Sequence, residues 1–231
     1  MSSETLALAA IWYVAFLLSL TCHEAAHALA AKLGGDLTAY ESGQVSLNPI
    51  PHIRRSPFGT VVIPLITFFA SGFMMGWASA PYDPLWQQRH PRRAALMALA
   101  GPMANFLLVL LAIVTLRTGL ALRFFAPPEH FAFSHMAVAA SPGAAEGLAA
   151  FASIVFSLNL LLGAFNLLPV PPLDGSSVVG MFLTKHAALR FVELGRSPMF
   201  SLAGLVIAWR LFDYVVRPLF SIGIGVLYWG Y

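Results

Sequence analysis

The run Leu6–Lys32, LALAAIWYVAFLLSLTCHEAAHALAAK, decides how the whole chain is read. It is apolar from Leu6 to Cys22. Apart from Glu24, no Asp, Glu, Lys or Arg stands between Glu4 and Lys32. As one helix rising ~1.5 Å per residue, it is long enough to cross a hydrocarbon core of ~30 Å. Gly34-Gly35 stops it. Met1–Glu4 carries no basic residue, and no small-residue cleavage site leads into a soluble domain. The run is therefore read as a retained span and not as a signal peptide.

The rest of the chain agrees. Of 231 residues, 58% are hydrophobic and only 10% charged, and the mean hydropathy is +0.76. A soluble domain carries roughly 25% charged residues. So few charges exclude an ordinary cytosolic enzyme, a disordered chain and a nucleic-acid binder with a basic face. The 13 Lys and Arg are scattered, not clustered. A lone cysteine, Cys22, excludes an internal disulfide framework. The apolar runs are continuous, without the alternation of a membrane β-barrel. The expected class is an all-α polytopic membrane protein, one membrane-embedded domain over residues 1–231. Its core spans are placed at about 5–31, 94–116 and 148–168. The apolar stretch 58–78 is broken by Pro64 and by Ser71-Gly72. The C-terminal apolar region 198–231 is read as two short helices or as one span with a tail.

Within the first span stands His23-Glu24-Ala25-Ala26-His27. Positions i and i+4 of a helix share a face, so both imidazoles can bind one metal ion, with Glu24 beside them to accept a proton from water. Ionisable groups in an apolar span cost several kcal/mol each and are rare unless paired or functional. Three within five residues therefore mark a site. A catalytic zinc site needs three protein ligands and an open position. The candidate for the third is Asp174, in Asn166-Leu167-Leu168-Pro169-Val170-Pro171-Pro172-Leu173-Asp174-Gly175, where the prolines prevent regular helix. Taken alone, Asp174 is equally a helix N-cap before Ser176-Ser177.

At these residues the chain resembles the site-2 protease family of intramembrane zinc metalloproteases. The family pattern is HExxH in one span, A-G-P-x-x-N in a second, and N-x-x-P-x-P-x-x-D-G in a third. The chain has His23–His27, Ala100-Gly101-Pro102-Met103-Ala104-Asn105 and Asn166–Gly175, in that order. It also has Asn48-Pro49-Ile50-Pro51-His52, similar to an element of the compact bacterial branch without a PDZ domain. The resemblance implies a catalytic Zn²⁺ held by His23, His27 and Asp174, with Glu24 as base. It further implies a structural or substrate-orienting role for Asn166, which is also the candidate oxyanion donor. Asn105 and His52 are assigned provisional substrate-binding roles, although composition alone places His52 in an exposed loop. The chain departs from the compact branch in having Arg54-Arg55 where an acidic residue is usual, and Ser79 where a lysine is usual.

For His23, His27 and Asp174 to reach one ion, the first and third core spans must run parallel and the second antiparallel to both. Residues 58–78 must then enter and leave on one side, as a re-entrant hairpin. Up to residue 197, that arrangement puts Lys32, Arg54, Arg55, Arg89, Arg92, Arg93, Lys185, Arg190 and Arg196 on the zinc side and only Arg117 and Arg123 opposite. Such a bias makes the zinc side cytoplasmic, and the resemblance to the compact bacterial branch implies a bacterial inner or plasma membrane. The function expected is hydrolysis of peptide bonds in or near transmembrane segments of membrane-protein substrates. The alternating stretch Tyr40–Leu47 is read as an edge strand able to hold an unwound substrate. The competing readings are a zinc transporter and a catalytically silent membrane scaffold.

Overall fold

The computed structural model describes residues 2–231, without the side chains at 185, 192, 194, 196 and 213. Three helices are long and apolar enough to cross a membrane: α1 Ser3–Leu33, α6 Pro91–Ala121 and α7 Ala144–Asn166. They extend the predicted spans at most ends and make an all-α membrane protein. Local chemistry sets their limits. Ser2 caps α1 by accepting from Thr5 N, Glu4 lies in its first turn and Lys32 in its last, which suits the helix dipole. Pro91 opens α6 at a position where a missing N–H costs nothing.

Cross-links give the directions. Ser19 on α1 meets Asn159 on α7, His23 meets Asn105 on α6, and His27 meets Met97. As α1 advances from 23 to 27, α6 retreats from 105 to 97, so these two run antiparallel. The α1 and α7 helices run parallel, because His23 and His27 both reach Asp174, beyond the end of α7. The core below this level is Trp12, Phe16 and Leu20 of α1, Val109 and Leu116 of α6, and Ile154 and Phe156 of α7.

Between α1 and α6 lie the short helices α2 Thr38–Glu41, α3 Pro49–Arg55, α4 Ile63–Ser71 and α5 Pro84–Arg89. A wider π-helical turn, Phe58–Val62, leads into α4. Gly72, with φ of +81°, then reverses the chain. The return runs beside the way in: Met75 N donates to Thr67 Oγ1 (2.9 Å), Trp77 N to Gly59 O (3.1 Å) and Arg55 Nε to Ser79 O (2.7 Å). Asp83 N then donates to Asp36 Oδ2 (2.8 Å), next to the end of α1. Residues 58–83 therefore leave and rejoin the same end of the bundle, as a hairpin. Of the two expected breaks, Gly72 is the turn. Pro64 sits in the first turn of α4, where proline is tolerated.

The expected strand at Tyr40–Leu47 is absent. Asp36 Oδ1 accepts from Thr38 N and Thr38 Oγ1 and starts a helical turn. Gly43, with φ of +76°, then closes it. Among the described residues the strands are β1 Phe125–Ala126 and β2 Val138–Ala139, paired antiparallel in the α6–α7 connection. After α7 come α8 Asp174–Val179, α9 Lys185–Arg196 and α10 Pro198–Leu227. The last is one helix bent by 46° between Pro198–Phe212 and Tyr214–Leu227. Arg117 holds its far end through Val226 O, Leu227 O and Trp229 O.

Candidate metal centre

Late in α1 the helix face that carries Trp12, Phe16 and Leu20 lower down turns polar. His23, Glu24 and His27 are buried, at 6%, 5% and 6% exposure. Pro169, Pro171 and Pro172 end the helical run of α7. The chain folds back so that Asp174, first residue of α8, reaches α1. Gly175 permits that fold, since a Cβ there would strike the carbonyls of Leu167 and Leu168. Gly101 does the same from α6: a Cβ would lie 2.6 Å from His23 Nε2 and closer still to His27 Nε2.

The three candidate ligand atoms converge. His23 Nε2 is 2.9 Å from His27 Nε2 and 3.1 Å from Asp174 Oδ2. His27 Nε2 is 3.3 Å from the same oxygen. Hydrogen bonds on the far side of each ring settle what these atoms are. His27 Nδ1 faces Met97 O at 2.7 Å. A carbonyl only accepts, so Nδ1 carries a proton, and the neutral ring then presents a lone pair at Nε2. His23 Nδ1 faces Asn105 Oδ1 at 2.6 Å, with the same consequence. With both rings neutral, two lone pairs and a carboxylate oxygen meet here. Such a set repels itself unless a proton or a metal cation sits among it. A tetrahedral ion with arms of ~2.0–2.1 Å spaces its ligands about 3.3 Å apart, so the cluster fits zinc.

A cavity of about 710 Å³ opens onto this cluster, within the range of ligand sites. Its walls include Glu24, the hairpin return Gly76–Ala80, Met97 of α6, Asn166 at the end of α7, and Leu205 of α10. Asn166 thus lies where a substrate could touch it.

Two of the expected site residues lie away from the cavity wall. Asn105 is 0% exposed and is not part of the cavity wall. It stands behind His23 and holds its ring. His52 is 2% exposed, not a surface histidine. It faces Ser46 O through Nε2 at 3.0 Å. Sequence reading also passed over Asn159 and Ser19, both fully buried and bonded to Asn105. The signal was present: an amide in an apolar span is as costly at 159 as at 105. The two departures from the compact branch meet in one contact, since Arg55 donates to the carbonyl of Ser79.

The sequence profile described as Peptidase family M50 matches residues 11–207. The chain is 31% identical to "Putative zinc metalloprotease YwhC" of Bacillus subtilis (strain 168), over 91% of this chain and 85% of that protein. It is 30% identical to "Putative zinc metalloprotease Rip2" of Mycolicibacterium smegmatis, over 69% of this chain and 52% of that protein. No solved structure matches it significantly. A match of this extent, spanning the HEAAH helix and the aspartate loop alike, means that the chain belongs to peptidase family M50, the site-2 protease family, and is a zinc metalloprotease.

Proposed function

We propose that this protein hydrolyses peptide bonds in or near the transmembrane segments of membrane-protein substrates, at a zinc site formed by His23, His27 and Asp174. The observation that carries the reading is the convergence of two imidazole lone pairs and one carboxylate oxygen within 2.9–3.3 Å inside the helix bundle. Bound there, Zn²⁺ supplies Lewis acidity to the scissile carbonyl and to water.

The chain's own residues do the rest. Glu24 lines the cavity beside His23 and His27, where it takes a proton from the attacking water and returns it to the leaving amine. Asn166, at the cavity wall, offers its amide N–H to the developing oxyanion. The return Gly76–Ala80 lies without regular secondary structure along the same wall. It replaces Tyr40–Leu47 as the segment suited to hold an unwound substrate by strand addition. The hairpin course of 58–83 supports the nine-to-two distribution of basic residues up to residue 197, which puts the site nearer the cytoplasmic face of a bacterial inner or plasma membrane.

The test uses the full chain in proteoliposomes with a single-span substrate tagged at both ends. Wild type is expected to cut the substrate, and Glu24→Gln to bind zinc normally while cutting at least about a hundredfold more slowly. Zinc flux into the vesicles without cleavage would instead establish the transporter reading.

A further inference from the structure

Behind His23 runs a chain of side-chain hydrogen bonds that crosses all three core helices. Asn105 Oδ1 lies 2.6 Å from His23 Nδ1. Asn105 Nδ2 donates to Asn159 Oδ1 at 2.7 Å. Asn159 Nδ2 donates to Ser19 Oγ and to Val155 O, each at 2.8 Å. Ser19 Oγ donates to Ala15 O at 2.7 Å. Ser19, Asn105 and Asn159 are all 0% exposed.

Every link has a direction, and the far end sets it. Val155 O is a backbone carbonyl and can only accept, so the NH₂ of Asn159 must point at it. The carbonyl oxygen of Asn159 must then face Asn105. It accepts there, so Asn105 turns its NH₂ to Asn159 and its oxygen to His23. An oxygen facing Nδ1 requires a proton on Nδ1, which in the neutral ring leaves Nε2 bare and aimed at the cluster. Reversing one amide would oppose like groups at every later link. Among side chains with 0% exposure, each such mismatch is expensive.

We infer that Asn159 is a positioning residue for the metal centre: acting through Asn105, it fixes the His23 tautomer that presents Nε2 to the ion. It lies on the next helix and touches neither ligand nor cavity. This inference rests on the reading of His23 as a zinc ligand. Asn105, provisionally a substrate contact, becomes the middle link of the relay.

Replacing Asn159 by the near-isosteric leucine removes the closer of the two acceptors that orient Asn105 Nδ2 and leaves only Ser19 O at 3.5 Å. The amide is then held only weakly against turning NH₂ toward His23, which stabilises the wrong tautomer. Loss of a partner behind a ligating histidine costs roughly ten- to hundredfold in metal affinity. Asn159→Asp keeps an oxygen toward Asn105 whether or not its carboxyl is protonated, and so keeps the direction.

The experiment is a chelator-competition titration of zinc on the detergent-solubilised full chain, with the visible spectrum of the Co²⁺-substituted protein as second readout. Asn159→Leu is expected to weaken zinc by ten- to hundredfold and to alter the Co²⁺ spectrum, and Asn159→Asp to stay within about threefold of wild type. The double variant Asn105→Leu/Asn159→Leu should bind like Asn105→Leu alone, since the second residue acts only through the first. Wild-type affinity in Asn159→Leu, additive losses in the double variant, or a tenfold loss in Asn159→Asp would each overturn the relay. The Asp arm decides even if the Leu variant fails to fold. Unchanged zinc binding in His23→Ala would instead overturn the ligand assignment beneath it.

Discussion

In the lower half of the bundle, α1, α6 and α7 meet through Trp12, Phe16, Leu116, Ile154 and Phe156, all nearly or fully buried. Beginning within a turn of Phe16 and Phe156, the same three helices meet through Ser19, Asn105 and Asn159, all fully buried, and through His23, also buried. The first region is dry jigsaw packing. The second replaces large side chains by Gly101, which lets α6 close on the histidines, and by amides that satisfy one another. The contrast separates what holds the helices together from what aims them. Lipid tails are as apolar as leucine, so the dry half is held by packing fit. The polar half is held by direction, and a wrong direction there cannot be hidden.

The largest break is at the cluster itself. His27→Ala and Asp174→Ala are each expected to abolish zinc binding and hydrolysis while the dry half stays folded, as measured by metal analysis together with helical circular dichroism. Gly101→Ala comes next. Its methyl would sit against both imidazoles, so overpacking should cost about 1–3 kcal/mol of stability and much of the zinc affinity. A variant binding zinc like wild type would mean that α6 does not need to approach so closely. Leu116→Ala, far down the dry half, is expected to cost about 2 kcal/mol. That is the low end for Leu→Ala, because only the packing part of the loss applies in lipid. Zinc affinity should be untouched, and a fall in affinity there would erase the separation of the two halves.

The smallest effect lies outside both halves. Asp36 sits just after α1. Burial alone would raise its pKa, but hydrogen bonds from Thr38 and Asp83 outweigh burial and hold the carboxyl below its usual range. A depressed folded pKa gives stability that is present above the unfolded pKa and is lost as pH falls through the folded one. Wild type should therefore exceed Asp36→Asn in thermal stability at neutral pH, with the gap closing in acid. A gap that widened toward acid would contradict this.

The first span, the HEAAH face and the hairpin were legible in the sequence. Charge in an apolar run has few physical uses, and the basic residues allow few topologies. Tyr40–Leu47 misled, because its alternation was overruled by Asp36 and Gly43, which make turns. The burial of His52 was not legible, because its loop folds over it only in three dimensions. The role of Asn105 was hidden for another reason. Which atom an amide faces depends on Asn159, fifty-four residues away, and no local pattern carries that distance.

The most direct measurement is mass spectrometry of the products made from a single-span substrate by zinc-stripped and zinc-restored protein in one bilayer. Cleavage should be absent without zinc, return on its restoration, and fall within or next to the apolar segment of the substrate. Undiminished cleavage after complete zinc removal, or cuts confined to a soluble tail, would contradict the proposal of an intramembrane zinc protease.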